Sequence, residues 1–298
     1  MRKIVYHITE EYAGLTIEQL LRFRMGISRR VVVALKKPED GIQLNGSHAR
    51  TIDKLSVGDV LEISLPQPET RVRSSAIPVE ILYEDSDVLV YNKPAGMPCH
   101  RSGGHYEDTL ENVYAAHCRE TGEAAPFRAV NRLDKDTSGA VVCAKNQIAA
   151  GKLWKGVQKE YIAVAQGIVE PETRTIDLPI ERIAPYEMRR IVTPEGQTAI
   201  TEYRALARGQ EHTLLSCRLH TGRTHQIRVH MSHLGYPLAG DDFYGGSLTH
   251  IGRQALHCAE VSFVHPVTGQ SHRIQAPLHE DMKNLLAQLG IAYNMHKN

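Results

Sequence analysis

The 298-residue chain carries 35 Lys and Arg against 34 Asp and Glu, 42% hydrophobic residues and a formal net charge of +1. Such proportions exclude a disordered or collagen-like chain and suit a substantial folded domain with a smaller one beside it. Near-neutrality also excludes a chain basic all over, so any surface for a polyanion has to be a local patch.

Residues 12–66 read as one compact unit. LTIEQLLRFRMGISRRVVVALKK places Leu15, Ile17, Leu20 and Leu21, then Val31, Val32 and Leu35, at roughly helical spacing. Gly26 interrupts the pattern and Ser28 is suited to cap a restart, which predicts two short helices. GIQLNGSHARTIDKLSVGDVLEISL follows, with a hairpin-type turn at Asn45-Gly46 and a strand at Val60 to Leu65 whose Leu61, Ile63 and Leu65 share a face. From Leu20 to Pro38 the charged residues are Arg22, Arg24, Arg29, Arg30, Lys36 and Lys37, with no acid among them. A solvated helix normally mixes signs, so this stretch points to an anion-facing surface rather than a plain basic face.

Residues 67–77, within the Pro- and Ser-rich PQPETRVRSSAIP, read as a linker, and 78–298 as a second domain. It opens on VEILYEDSDVLVYNKPAG, two strands around an acidic turn. GAVVCAK and EYIAVAQGIV are apolar strand-like runs, and TAITEYRALARG and HTLLSCRLH alternate as an antiparallel pair does. Helical patterns fall near 108–120, 146–158, 224–234 and 279–289. Strands outnumber helices without regular alternation, which predicts an α+β fold with a mixed, largely antiparallel sheet flanked by helices. No run of about 18 apolar residues occurs, and MRKIVYHITEEYAG lacks the apolar core of a secretory signal. The five cysteines (99, 118, 143, 217 and 258) contain no C-x-x-C pair. The expectation is a cytoplasmic chain with no membrane partner, no disulfide framework and no Cys-rich zinc site.

Two dense stretches carry the chemistry. RAVNRLDKDTSGAVVCAKN, 128–146, crowds Arg132, Asp134, Lys135 and Asp136 at the mouth of an apolar strand. A lone Asp in a turn most often caps backbone amides, but Thr137-Ser138-Gly139 serve that turn and free Asp134 for a pocket. Paired with Asp136 it raises a glycosidase reading, which a single Trp in the chain weakens. RLHTGRTHQIRVHMSHLG, 218–235, holds His220, His225, His230 and His233 without the H-E-x-x-H pattern or an interleaved carboxylate, so a zinc site is disfavoured. His230 and His233 suit structural hydrogen bonds better. Arg218, Arg223 and Arg228 need anionic partners, Asp134 foremost or a phosphate. TGRT offers amides for an anion, or a helix cap by Thr221 or Thr224. Neither GGH at 103–105 nor YGG at 244–246 matches a nucleotide fingerprint, so no cofactor is implied.

Taken together, LYEDSDVLVYNKPAG, NRLDKDTSG, KEYIAVAQG and LHTGRTHQIRVHMSHLGYPLAGDDFYGG, in order across roughly 80–265, resemble the RluA family of RNA pseudouridine synthases. The unit at 12–66, with ISRR, LNG and VGDVLEI, resembles the small RNA-binding module named after ribosomal protein S-four. The resemblance implies a pseudouridine synthase fold behind a small α/β-hairpin RNA-binding domain. Uridine would be isomerised in structured RNA, ribosomal in preference to transfer RNA, without cofactor or metal; the lack of a coiled-coil pattern or an obvious apolar interface stretch in the sequence adds the expectation of a monomer. The resemblance makes Asp134 the catalytic aspartate, Arg228 its ion-pair partner and Tyr161 the aromatic residue near the base. Arg132 would enter the space of the displaced nucleotide, Asn131 and Arg223 would contact substrate, and Arg22, Arg29, Arg30, Lys36 and Lys37 would face RNA. Lys93 and Asp241 fall in shared motifs with support roles, and Asn131 departs from the His often found before the arginine. Whether the carboxylate attacks covalently or removes a sugar proton stays open, as does stacking against proton transfer for Tyr161. Against this stand a non-catalytic RNA-binding protein, which leaves Asp134 unexplained beside a phosphate-seeking surface, and the glycosidase.

Overall fold

A computed structural model describes residues 2–65, 72–123, 125–154 and 156–293. The first unit begins earlier than the periodicity suggests. Strand β1 (Arg2–His7) pairs antiparallel with β4 (Val60–Leu65), and the sheet runs β1-β4-β2-β3, with β2 at Ile42–Leu44 and β3 at Ser47–His48. Between β2 and β3, Asn45 and Gly46 stand at φ 54° and 78°, the mirror-image turn that matches strand twist and that Asn-Gly adopts at low cost. Helix α1 (Ile17–Gln19), held by a capping box from Thr16 and Gln19, runs into a π-helical turn at Leu20–Arg24. After Gly26 comes α2 (Arg29–Leu35), whose N-cap Ser28 accepts from the Val31 amide. Their apolar stripes close on Leu61, Ile63 and Leu65 in a core of their own.

That core also takes in Ile148 of the second domain. Beside it Arg2 forks onto the buried Asp87 at 3.1 and 2.7 Å, and Asn146 donates to the same carboxylate at 2.7 Å. Packing and a paired charge thus dock the small unit on the large one. Asp85, Asp87 and His265 lie close enough for a cation, but Arg2 and Asn146 hold Asp87, while Tyr83 and two backbone amides hold Asp85. Of the expected linker, residues 67–71 lie outside the described residues. The remainder is tied down: Asn112 donates to the Arg73 carbonyl, and the Ser75 amide to that of Asn112.

The second domain is built on one large mixed sheet. Its strands are β5 (Glu80–Glu84), β6 (Val88–Lys93), β7 (Ser138–Ala144), β8 (Gln158–Gln166) and β9 (Thr173–Asp177), with β12 (Ile200–Arg208), β13 (His212–Leu219), β14 (Leu256–Val264) and β15 (Ser271–Gln275). The order is β5-β6-β7-β14-β8-β13-β12-β9, with β15 on β14; β7 and β14 are parallel and the other pairings antiparallel. The intervening β10 (Ile180–Arg182) and β11 (Arg190–Val192) form a separate hairpin. Helices α3 (Leu110–Glu120), α4 (Gln147–Leu153), α5 (Gln226–His233) and α6 (Glu280–Gln288) complete the α+β architecture. The fourth stops at Leu153, short of the expected 158, because Gln158 already belongs to β8.

Strands β6 and β7 are buried along their whole length, which is why they read as continuous apolar runs. Where β7 begins, Gly139 sits at φ 112°, and a Cβ there would lie 2.3 Å from the Cys258 carbonyl oxygen. Only glycine lets β14 approach the end of the Asp134 turn so closely. Among the described residues no helix is long and apolar enough to cross a membrane.

Candidate active site

The turn from Asn131 to Thr137 is anchored at nearly every residue. Asn131 donates to the Ala140 carbonyl at 3.0 Å and accepts from the Val142 amide at 2.8 Å. The Leu133 amide meets Cys99 Sγ at 3.4 Å. Lys93 Nζ donates to the Lys135 carbonyl at 2.9 Å as well as to those of Pro94 and Met97. Arg253 Nη1 donates to the Asp136 carbonyl at 3.2 Å, and Gln254 Nε2 to Thr137 Oγ1 at 3.2 Å. Arg253 is itself forked onto Asp281 of α6 at 2.7 and 3.0 Å. A backbone pinned by two cations leaves the Asp134 side chain out of the turn's hydrogen bonding. Among the described residues no backbone amide donates to its carboxylate.

Arg228 faces that carboxylate from α5 as its expected ion-pair partner, and it holds a second acid as well. Its Nη1 lies 3.4 Å from Asp134 Oδ2, but its fork is closed on Asp241, with Nε and Nη2 each at 2.7 Å from an oxygen. The Asp241 side chain is 1% exposed and that of Arg228 7%, whereas Asp134 keeps 27%. Burial, the largest single influence, would lower the Arg228 guanidinium, yet the bond to Asp241 and the charges of Asp241 and Asp134 together exceed it and leave the group raised and charged. The Arg228 guanidinium carbon also lies 4.9 Å from the centre of the Tyr244 ring, so the Asp241 carboxylate and that ring fix the cation and present its remaining edge to Asp134. Asp241 is thus the primary partner, and Asp134 the one with room for something else.

His225, in the sequence a weak candidate for a metal, lies closer to the chemistry than its surroundings there suggest. It is the N-cap of α5 at φ 60°, with Nδ1 2.8 Å from the Tyr244 hydroxyl and Nε2 3.9 Å from Asp134 Oδ2. Neither Thr221 nor Thr224 caps the helix. Thr221 Oγ1 donates to Gln226 Oε1 and accepts from the Ile200 amide, and the Gln226 oxygen also takes the Arg223 amide. His230 is structural as expected, held between Thr201 Oγ1 and the Leu178 carbonyl, both at 2.9 Å.

The other candidates separate cleanly. Tyr161, on β8 between Cys217 and Cys258, is 5% exposed, and burial pushes its phenol well above the ordinary value. Arg132 is exposed and free of ion pairs among the described residues. Asn131 departs from the substrate contact expected of it: at 6% exposure its amide holds the backbone of β7, so it positions the turn. Arg223 donates to the Thr198 carbonyl and Arg218 to the Glu160 carboxylate. On the small unit Arg24, Arg29, Arg30 and Lys37 are exposed or nearly so, beside a Phe23 ring that is 71% exposed. Arg22 and Lys36 do have an acid, Glu18, at 3.5 and 3.9 Å, just outside the stretch that looks one-signed. Such exposed pairs contribute about 0–1 kcal/mol and yield readily to a phosphate.

Residues 87–233 match the family described as RNA pseudouridylate synthase. The chain is 38% identical over 284 residues to the Uncharacterized RNA pseudouridine synthase YjbO of Bacillus subtilis, covering 93% of this chain and 97% of that one. It is 39% identical over 268 residues to the Ribosomal large subunit pseudouridine synthase D of Xanthomonas campestris, covering 83% of this chain and 80% of that one. Among solved structures, Human RNA Pseudouridylate Synthase Domain Containing 1 aligns with a TM-score of 0.57 at 25% identity, over 67% of this chain and 84% of that one.

Proposed function

The chain belongs to the RNA pseudouridylate synthase family and is an RNA-modifying isomerase, and from that premise we propose that Asp134 acts on a uridine turned out of its RNA. One observation carries this reading: a carboxylate in the turn that leads into the interior strand β7, whose backbone is pinned, whose oxygens no described amide claims, and which a buried arginine faces at 3.4 Å. An ionised carboxylate so placed can attack carbon or take a proton.

In the reaction the bond from sugar C1′ to N1 of the base breaks, the base turns, and a bond from C1′ to C5 forms. The C5 proton leaves and N1 gains one, so atoms balance with no change of oxidation state. Covalent attack by Asp134 and removal of a sugar proton both require the reacting atom to meet the same carboxylate. Extruding the base costs a few kcal/mol and needs side chains to fill the gap and to receive the ring. We assign Arg132, exposed beside the turn and without an ion pair among the described residues, to the gap. Tyr161 forms the aromatic wall, since burial holds its phenol protonated and makes it a poor base. Arg223 is placed at the substrate backbone.

The small unit, with Arg29, Arg30 and Lys37 turned to solvent, is assigned to docking the RNA. Relatives named for the large ribosomal subunit favour ribosomal over transfer RNA as substrate. Release of tritium from RNA labelled at uridine C5 tests the assignment. Asp134→Asn is expected to lose roughly 10²–10⁴-fold in rate while binding RNA as the wild type does. Full activity in that variant overturns the reading.

A further inference from the structure

His225 and Asn45 are the non-glycine residues at positive φ among those described. Asn45 needs the conformation for its turn; His225, at the start of a helix, has no such reason, and side chains rarely adopt it. The twisted backbone sets its imidazole between Tyr244 and Asp134. The Tyr244 oxygen accepts the Arg190 backbone N–H at 3.0 Å, so among the described residues the Tyr244 proton has one acceptor within reach, His225 Nδ1 at 2.8 Å. A ring nitrogen that accepts holds no proton, which leaves the proton of the neutral imidazole on Nε2, the atom 3.9 Å from Asp134 Oδ2.

We infer that His225 is a positioning residue for Asp134: a relay from the Arg190 amide through the Tyr244 hydroxyl fixes its tautomer and aims an Nε2–H donor at the carboxylate. The inference rests on the assignment of Asp134 as the reacting group. At 3.9 Å the last link is open, as such bonds are before substrate fills a site, and it tightens when the nucleotide enters. Arg228 and His225 then approach Oδ2 as two donors and hold the carboxylate in one orientation. Around the imidazole stand Asp134 and Asp241, which favour its charged form, and Arg228 and Arg190, which oppose it. The Phe243 and Tyr244 rings meet it edge-on at 5.8 and 5.6 Å. Burial, the largest influence, lowers the group and so favours the neutral imidazole. Arg190 starts β11 of the separate hairpin, so the relay also links that hairpin to the carboxylate.

The test is the rate of tritium release at saturating RNA, together with KM for RNA, for wild type, His225→Phe, His225→Gln and Tyr244→Phe. Losing a donor to a charged acceptor predicts a fall in rate of roughly 10- to 100-fold for His225→Phe, with KM for RNA unchanged. His225→Gln, which keeps an N–H, recovers part of the rate. Tyr244→Phe lowers the rate by less, again with KM unchanged, and decides the matter if His225→Phe does not fold. A wild-type rate in His225→Phe, or a glutamine variant no better than the phenylalanine one, overturns the relay. Asp134→Asn runs alongside: its inactivity together with a wild-type His225→Phe rejects the relay alone, whereas its full activity rejects the assignment beneath it.

Discussion

The small N-terminal unit and the site around Asp134 use the same kinds of cation in opposite ways. On the small unit Arg29 and Arg30 stand outside a closed core, exposed. Around Asp134, Arg228 is 7% exposed and forked onto Asp241, and Lys93 is fully buried on three carbonyls. An exposed cation without a partner keeps its attraction for an anion that the chain does not contain. A buried and partnered one has used that attraction to fix geometry. The contrast therefore predicts that losses in the first region weaken binding and losses in the second damage stability and turnover.

The largest effect is expected from Asp241→Asn. Removing one member of a buried pair leaves the other charge uncompensated, which costs on the order of 3–5 kcal/mol. It also frees Arg228 to swing toward Asp134, and a misplacement of ~1 Å near reacting atoms costs about 10²-fold in rate. Chemical denaturation and tritium release read the two losses separately. A variant with wild-type stability would show that Asp241 does not carry the pair and would erase the distinction between the regions.

Lys93 sharpens the comparison through pH. Burial, the largest influence on it, pushes its ammonium down to about 8, below the ordinary lysine value. Between that pH and about 10.5 the unfolded chain binds a proton that the native one has released, so the Lys93 contribution to stability rises with pH across this window. Below about pH 8 the full burial penalty applies. Lys93→Met is expected to remove the rise, so that the stability difference between wild type and variant changes by up to about 3 kcal/mol across the window and is flat below it. Its turnover should fall at every pH, since the Lys135 carbonyl beside Asp134 loses its anchor. A difference curve that stays flat from about pH 8 to 10.5 would mean that Lys93 titrates as a solvated lysine.

Much of this is legible in the sequence where one physical signal dominates. Alternation or continuous apolarity marks β6, β7, β12 and β13, and a charged turn opening onto a buried strand marks Asp134. Strands β14 and β15 do not stand out, because Leu256–Val264 mixes a buried His257 and Glu260 into an apolar run, and its parallel partner β7 lies more than a hundred residues away. At the site, the anchoring of the turn is invisible for the same reason: Lys93 and Arg253 reach adjacent carbonyls from opposite ends of the domain. The primary partner of Arg228 escapes a reading by spacing because Asp241 lies beyond the helix at no periodic interval. His225 invites a metal through its residue type, while its left-handed backbone leaves no trace in composition. Side chains whose role depends on a local conformation, or on two distant segments meeting, are those that periodicity does not reveal.

The smallest effect in stability, and the cleanest separation of the regions, is expected from Arg29→Gln combined with Arg30→Gln. Both side chains are exposed on α2, so folding should change by less than about 0.5 kcal/mol. If each meets a phosphate, RNA affinity falls at low salt, and the slope of log affinity against log salt drops by roughly one for each phosphate left without its arginine. Turnover at saturating RNA should stay at the wild-type value, because neither residue approaches Asp134, while KM rises. Affinity measured at several salt concentrations beside single-turnover rates distinguishes the outcomes. An unchanged salt slope would remove these two arginines from the RNA surface. A fall in saturating turnover would mean that docking on the small unit, joined to the catalytic domain through Arg2, Asp87 and Ile148, also governs how the uridine reaches the carboxylate, and the division of labour between the two regions would no longer hold.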